Sequence, residues 1–197
     1  DDDYFHKTDS EVWELVCRAA RVFEELGANI ENKPFPGMVT AALSNSLIVV
    51  SDAATVYAQQ FHNDPYEFGE DIHQRLEIGS QVKLQDYIQA RRNQVLLRRQ
   101  FESFLDQYDL LLMPTTAVSA PPVAGPDALE QARLLTRFTA PFNLTGLPAL
   151  SIPGGFTSAG LPIGLQLIAN PWREASLLRA AYAYETATQW YLQVPEL

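Results

Sequence analysis

The sequence predicts an α/β protein, and two patterns in it support this prediction. Near the start, apolar residues recur every three or four positions between Val12 and Leu26, which is the period of an amphipathic helix. In the second half, short apolar runs of strand length stand between turn residues, and another helical pattern follows them. Helices combined with buried strands are typical of layered α/β folds.

The first half of the chain is predicted to be mainly helical. Residues 8–11 have the form of a capping box, and Gly27 suits the end of the first helix. Four further elements are expected: a short strand over 28–32, a buried Ala-rich helix over 38–60, a short helix over 71–78 and a long polar helix over 81–107. We interpret residues 60–108 as a helical excursion from a sheet.

The second half is predicted to supply the strands. The run DLLLM at 109–113 is flanked by charge and by Pro114, which favours a buried strand, and the Pro-rich residues 117–126 favour an irregular loop. The remaining elements expected are a helix over 128–138, strands over 149–152 and 163–169 with a turn at 158–160, and a helix from Asn170-Pro171 to about Trp190.

Composition excludes several functional classes. The 197 residues carry a formal charge of -10, which disfavours nucleic acid or an anionic membrane as a main partner. The one cysteine, Cys17, cannot form an internal disulfide, so a reducing cytoplasm is the expected location. Charged and polar residues interrupt every apolar run before about 18 residues, so we expect no membrane span. Because the chain begins with Asp1 rather than Met, we expect it to start within a longer protein.

A search for catalytic and metal-binding motifs finds little. The three histidines, His6, His62 and His73, lack metal-ligand spacing, and there is no G-x-S-x-G motif and no phosphate loop. Cys17 lies in an amphipathic helix without a nearby histidine, which indicates a buried, inert thiol. The sequence therefore predicts no cofactor and no metal.

Four arginines form a basic stripe on the long helix. Arg91, Arg92, Arg98 and Arg99 form two pairs seven residues apart, so they share one side of a helix. The stripe suits RNA or an acidic partner protein, but a solvated helix face carries the same pattern. The net charge favours the solvated face.

Four ordered segments resemble the amidase signature family. They read YEFGEDIHQRLEIG from Tyr66, YDLLLMPTT from Tyr108, FNLTGLPALSIPGG from Phe142 and GLPIGLQLI from Gly160. Together with the last helix they cover essentially the whole chain. The resemblance implies the C-terminal part of one α/β/α domain built around a mixed sheet.

The resemblance also implies an amide hydrolase that forms a carboxylate and releases ammonia or an amine. The family uses a serine nucleophile, a second serine and a lysine, and these lie in its N-terminal half. Lys7, Lys33 and Lys83 lack the Ser/Gly-rich surroundings of that motif, so no catalytic residue is expected in this chain. We therefore expect the isolated chain to be inactive, with the N-terminal half and a small-molecule amide as its partners.

In the family, loops after the DLLLM-like strand and around the FNLTGLP-like segment border the acyl-binding side. The corresponding pocket candidates are Thr115, Thr116, Phe138, Thr139, Phe142 and Asn143. Pro-rich neutral loops also simply cap the end of a sheet. Both interpretations remain open for these six residues.

One arginine helps to distinguish a general amidase from a glutaminase within this family. The A subunits of glutamyl-tRNA(Gln) amidotransferases belong to the same family, and their glutamine pocket uses an arginine and an aspartate. Arg75 corresponds to the arginine, although a structural pairing with Glu70, Asp71 or Glu77 is the alternative. Leu135-Thr136-Arg137 stands where the aspartate is expected, and without a carboxylate the ammonium group of glutamine lacks its charge partner. The pattern therefore favours a general amidase over a glutaminase.

Two further expectations complete the sequence-based hypothesis. A non-catalytic module that kept the fold and lost the chemistry is the third alternative. Since half of a sheet exposes apolar edges, we also expect the isolated chain to form homo-oligomers or to retain a covering fragment.

Overall fold

A computed structural model describes residues 2–5, 7–122 and 128–194 of the chain. The helices are α1 (Asp2–Phe5), α2 (Ser10–Glu25), α3 (Met38–Val56), α4 (Ala58–Asn63), α5 (Glu70–Ser80), α6 (Leu84–Leu105), α7 (Ala128–Thr136), α8 (Ala140–Thr145) and α9 (Glu174–Thr188). The strands are β1 (Leu111–Pro114), β2 (Ala149–Phe156) and β3 (Pro162–Ile168). Short 3-10 helices span Pro65–Glu67 and Trp190–Leu192. The predicted α/β class is confirmed.

The three described strands form one antiparallel sheet in the order β1-β3-β2. Strand β3 is central and pairs Leu167 with Leu112 on one side and with Leu150 on the other. The family resemblance implied a mixed sheet, whereas every pairing among the described strands is antiparallel. Strands β1 and β2 are therefore parallel to each other and separated by β3.

Helices cover both faces of this sheet. Neighbouring residues of β3 point to opposite sides, so its apolar side chains pack against helices on each side. Leu165 and Leu167 are buried with residues of α2 and α9, among them Phe23 and Tyr184, whose rings stack 5.1 Å apart. Ile168 is buried in the other cluster, which contains residues of α3, α6 and α8. The result is a helix–sheet–helix arrangement with a core on each side.

Helix α2 forms where the amphipathic pattern predicts it. The backbone N–H of Glu11 donates to the Asp9 carboxylate at 2.8 Å, so Asp9 is the N-cap and not Thr8. The buried side is the predicted stripe, which includes Val12, Leu15 and Phe23. Cys17 lies outside this stripe and is exposed, so the prediction of a buried thiol is wrong. The helix ends just before Gly27, whose φ of 94° is a left-handed conformation.

The predicted helical excursion corresponds to α4, α5 and α6, and α5 and α6 both pack on α3. Gly79 lies at the crossing of α5 and α3, where an added Cβ would be 2.0 Å from the backbone oxygen of Val50. The two helix backbones approach this closely only because residue 79 has no side chain.

Helix α3 is exposed on much of its surface, contrary to the prediction of a buried helix. Only Met38, Ala41, Ser44 and Ile48 are buried along its length. Among the described residues, α3 is long and apolar enough to cross a membrane by length and composition, with a mean hydropathy of 1.4 and 17% of that window buried. We expected no segment to meet this test. Soluble proteins contain core helices that also meet it, so it is weak evidence for a membrane span.

The structure lacks one predicted strand and moves the ends of two other predicted elements. Residues 28–32 are exposed and form no strand. An extended segment becomes a strand only when it pairs with another one, and this segment pairs with none of the described strands. Strand β2 continues four residues beyond the predicted end at Ile152. Helix α9 begins at Glu174 instead of Pro171, because Trp172 has a left-handed φ of 67° that a helix cannot contain. Of the predicted loop at 117–126, residues 123–126 lie outside the described residues.

Candidate functional site

A pair of hydroxyl groups lies on one face of the sheet, just beyond the end of β1. The side-chain oxygens of Thr115 and Ser151 are 2.7 Å apart, and either group can be the donor. The Thr115 N–H donates to the Gly164 carbonyl at 2.9 Å, which extends the β1–β3 ladder past Pro114. Thr115 is half-buried and Ser151 is exposed, so the pair can meet a ligand.

Gly164 makes room for this pair. It lies on β3 between the two hydroxyl-bearing residues, and an added Cβ would be 2.9 Å from both oxygens. A methyl group at this distance would push Thr115 and Ser151 apart. The absence of a side chain at Gly164 therefore brings the two hydroxyls into hydrogen-bond contact.

Gln166 is the next residue on the same face of β3. Its side chain is buried, with 3% of the residue exposed, and its amide nitrogen donates to the Phe138 carbonyl at 3.2 Å. This bond satisfies a buried amide and attaches the turn between α7 and α8 to the sheet. The turn carries Thr139, so Gln166 helps to position it relative to the hydroxyl pair.

The two predicted phenylalanines lie in the core. Phe138 is 0% exposed and stacks on Phe5 at 5.1 Å between ring centroids. Phe142 is buried among rings that include Phe35 and Phe101. Both side chains are buried in this structure, and their assignment as pocket residues stays a prediction.

The hydroxyls of Thr116 and Thr139, which were also predicted as pocket residues, bond to carbonyls of their own turns. Thr116 donates to the Val118 carbonyl at 2.7 Å, and Thr139 donates to the Thr136 carbonyl at 3.2 Å. Each bond stabilises the turn in which the residue lies. These threonines shape the loops, while Thr115 is the one whose hydroxyl reaches a second strand.

Asn143 lies at a different surface from Thr115. It is exposed on α8 and borders an open groove of about 370 Å³. The groove is also lined by Arg98, Phe142, Gly146, Leu147, Pro148, Pro171, Trp172 and Glu174. The structure thus divides the predicted pocket residues between two locations.

Arg75 is exposed on α5, the helix that packs against α3. Within the described part of the chain it forms no ion pair within 4 Å. The structure thus shows no ion pair of Arg75 with Glu70, Asp71 or Glu77, and both interpretations of Arg75 stay predictions. The structure places Arg75 on a helix of the excursion, whereas Thr115 and Thr116 directly follow β1.

The residues that form the hydroxyl pair, Thr115 and Ser151, carry no charge. Clear pKa shifts within the described ranges fall on four other residues, which are Tyr4, Glu11, Tyr87 and Tyr184. Burial raises the pKa of Tyr184, and the hydrogen bond to Asp52 raises that of Tyr87. The described residues hold no group of three or more His, Cys, Asp or Glu side chains that could bind a metal ion. The pair is thus suited to hydrogen bonding with an uncharged group.

Sequence reasoning missed Ser151 as a member of this site, together with Gly164 and Gln166 on β3. The family segment was recognised, but the pairing of Ser151 with Thr115 depends on the register of two strands joined through β3. The glycine at 164 inside an otherwise apolar strand was an available signal, because such glycines mark close approach of another group.

Known proteins resemble this chain in sequence and in structure. A family model described as "Amidase" matches residues 1–178. The A subunit of glutamyl-tRNA(Gln) amidotransferase from Moorella thermoacetica is 34% identical over 95% of this chain, and an amidase of Pseudomonas putida is 32% identical over 98%. The chain spans 43% of the length of each.

A solved structure shows the same similarity. The A subunit of glutamyl-tRNA(Gln) amidotransferase from Thermotoga maritima matches with a TM-score of 0.74 and 27% identity. The match covers 94% of this chain and 41% of that one. The sequence segments that resembled a known family are therefore arranged here as in a solved relative.

Proposed function

Since this chain belongs to the amidase family, we propose that it forms the substrate-side wall of an enzyme that hydrolyses a carboxylic amide. The observation that supports this role is the neutral Thr115–Ser151 hydroxyl pair held against Gly164. One hydroxyl of such a pair has a free donor or acceptor site for the oxygen or nitrogen of an uncharged amide.

The proposed reaction uses a serine, a bridging serine and a lysine from the part of the protein outside this chain. The serine oxygen attacks the amide carbon while its proton passes through the bridging serine to the neutral lysine. The C–N bond then breaks, and the leaving nitrogen takes a proton and departs as ammonia or an amine. Water hydrolyses the resulting ester to give the carboxylate and restore the serine.

The neighbourhood of the hydroxyl pair favours an uncharged substrate group. The two hydroxyl-bearing residues and Gly164, which lies between them on β3, carry no charge. A charged substrate group brought here would lose hydration without gaining a counter-ion.

The cytoplasm remains the proposed location of the protein.

The experiment uses the full-length enzyme and the variant Thr115→Val, which keeps the shape and removes the hydroxyl. A hydrogen bond to a neutral group contributes about 1 kcal/mol, so its loss would lower kcat/KM about fivefold. Thr186→Val on α9 is the control, because its hydroxyl bonds only to the Tyr182 carbonyl one turn earlier. Equal kcat/KM values for Thr115→Val and the wild type would refute the substrate-wall role.

The rest of the enzyme is the proposed partner that completes the sheet. Strand β2 pairs only with β3 among the described strands, and its Ala149, Ser151 and Pro153 are exposed. An isolated chain is expected to self-associate or to retain a fragment that covers this edge. Light scattering that finds a clean monomer without a bound fragment would contradict the proposal. The same preparation is expected not to hydrolyse simple amides.

A glutaminase is the second candidate, favoured by the 34% identity to the Moorella thermoacetica protein. The three residues at 135–137 contain no carboxylate, and Thr136 bonds to the Ala132 carbonyl of its own helix. We therefore propose the general amidase over the glutaminase. Release of ammonia from free glutamine by the full-length protein, abolished by Arg75→Ala, would reverse that preference.

A further inference from the structure

The outward side of α6 carries exposed aliphatic residues at helical spacing. Ala90, Leu97 and Phe101 face the core, while Leu84, Ile88 and Val95 lie on the opposite side. Leu84 is 72% and Val95 is 52% exposed. Their spacing of four and seven residues aligns them in one seam, about 17 Å long at 1.5 Å per residue.

Arginines flank this aliphatic seam. Arg91, Arg92, Arg98 and Arg99 are all exposed on the same outward side of the helix. Arg98 pairs with Glu102 at 2.8 Å, whereas Arg92 and Arg99 form no hydrogen bond or ion pair within the described ranges of the chain. Positive charge is thus concentrated on one surface of a chain whose formal charge is -10.

An open groove of about 520 Å³ runs beside the seam. Its lining is Gln94, Val95, Arg98, Arg99, Glu102 and Thr145. The carboxylate of Glu102 is already paired with Arg98, so Arg99 faces the groove with its charge available. A ligand in this groove would meet both an aliphatic surface and a cation.

We propose that this surface, the arginine seam (Leu84, Ile88, Arg91, Arg92, Val95, Arg98 and Arg99), is a docking site for an acidic amphipathic helix of a partner protein. Apolar residues of that helix pack on Leu84, Ile88 and Val95, as in other helix-in-groove complexes. Its carboxylates pair with the flanking arginines, as charged residues do beside the seam of a coiled coil. Charge complementarity identifies the partner as acidic.

Two other occupants fit less well. A second copy of this chain in a two-fold contact would place the same arginines against each other, which is repulsive. Single-stranded nucleic acid stacks its bases on aromatic side chains, whereas the seam offers aliphatic ones. The overall charge of -10 also opposes nucleic acid.

The test measures binding to the full-length protein by fluorescence anisotropy. The probe is a labelled synthetic helical peptide of about 18 residues, a length of about 27 Å, with leucines along one stripe and glutamates beside it. A peptide with lysine at every glutamate position is the control, and a labelled single-stranded RNA is the third probe. We expect saturable binding of the acidic peptide alone, weakened by salt.

Charge reversal locates the binding site. The double variant Arg92→Glu/Arg99→Glu is expected to weaken binding by at least about tenfold, because close interfacial charge pairs have coupling energies above 1.4 kcal/mol. Arg21→Glu/Arg179→Glu makes the same charge change on α2 and α9 and is expected to leave binding unchanged. The neutral variant Leu84→Ser tests the apolar contribution and is also expected to weaken binding.

Several results would overturn the proposal. They are equal binding of the acidic and basic peptides, no binding of either, preference for the RNA, and an equal loss of affinity in the matched control. Amide hydrolysis serves as the folding check, because Arg92, Arg99 and Leu84 are not placed in the proposed substrate wall.

Discussion

Tyr4 and Arg137 bind each other through both side chains and both backbones. The Tyr4 hydroxyl donates to the Arg137 carbonyl, and the Arg137 Nε donates to the Tyr4 carbonyl at 2.7 Å. The guanidinium carbon also lies 4.4 Å from the centre of the Tyr4 ring. This reciprocal contact fastens the N-terminal helix α1 to the turn that holds Phe138 and Thr139.

The variant Tyr4→Phe is expected to destabilise the chain by about 1–2 kcal/mol, because the Arg137 carbonyl loses a donor in a partly buried place. Urea denaturation measures the change. Tyr66→Phe removes a hydroxyl from an exposed side chain and serves as the control. Equal midpoints for the two variants would show that the Tyr4 hydroxyl contributes nothing.

The crossing of α3 and α5 is expected to tolerate no side chain at position 79. In Gly79→Ala the new methyl would meet the Val50 backbone at 2.0 Å, so the helices must separate. We expect a loss of about 3 kcal/mol, the upper range for overpacking. Gly69→Ala, where the nearest atom is a side-chain oxygen at 3.3 Å, is the matched substitution. A thermal melt that ranks Gly69→Ala below Gly79→Ala would contradict the close crossing.

Trp172 is exposed and strained at the same time. It is 91% exposed and has a φ of 67°, a conformation that costs most residues about 1–2 kcal/mol. Trp172→Gly removes this cost, although the greater freedom of glycine in the unfolded chain offsets part of the gain. We expect Trp172→Gly to be more stable than Trp172→Ala by about 1 kcal/mol in urea. The opposite ranking would exclude backbone strain at this residue.

The Glu11 carboxylate is expected to make stability depend on acid pH. The backbone N–H of Ser158 donates to it at 2.9 Å, which lowers the pKa of Glu11 below its ordinary 4.5. A carboxyl whose folded pKa is lowered stabilises the protein above its unfolded pKa, and this contribution is lost as pH falls through the folded pKa.

Stability of Glu11→Gln is therefore expected to fall below that of the wild type at pH 7, with the gap closing below pH 4.5. The gap is expected to be small and to shrink with salt, because the carboxylate is exposed. Glu14→Gln, on the exposed side of the same helix, is the charge-matched comparison. Identical pH profiles for the two variants would exclude the contact with Ser158.

Local patterns predicted the helices well and the strands less well. Helix α2 was predictable because its apolar period, its cap and Gly27 all indicate the same element. The false strand at 28–32 shows the limit, since pairing with a distant segment decides whether an extended stretch becomes a strand. Helix α9 starts late because Trp172 has a left-handed backbone conformation, and residue propensities do not predict this conformation for tryptophan.

The candidate site was half predictable. Thr115 followed from the family segment and from its place after an apolar strand, but its partner Ser151 requires the register across β3. Phe138 and Phe142 were predicted as pocket residues because the family resemblance places their loops on the acyl-binding side. Their rings turn into the core because the burial of large aromatic surface stabilises the fold more than solvent contact does.

The strand order has a consequence for synthesis of the chain. Strand β1 is complete at Pro114, but its partner β3 begins only at Pro162 and lies between β1 and β2. Among the described strands, β1 therefore has no partner until β3 leaves the ribosome, and its apolar residues Leu111, Leu112 and Met113 lack that pairing meanwhile. A nascent chain paused before residue 162 should be a good chaperone substrate, and one extended past α9 should be released.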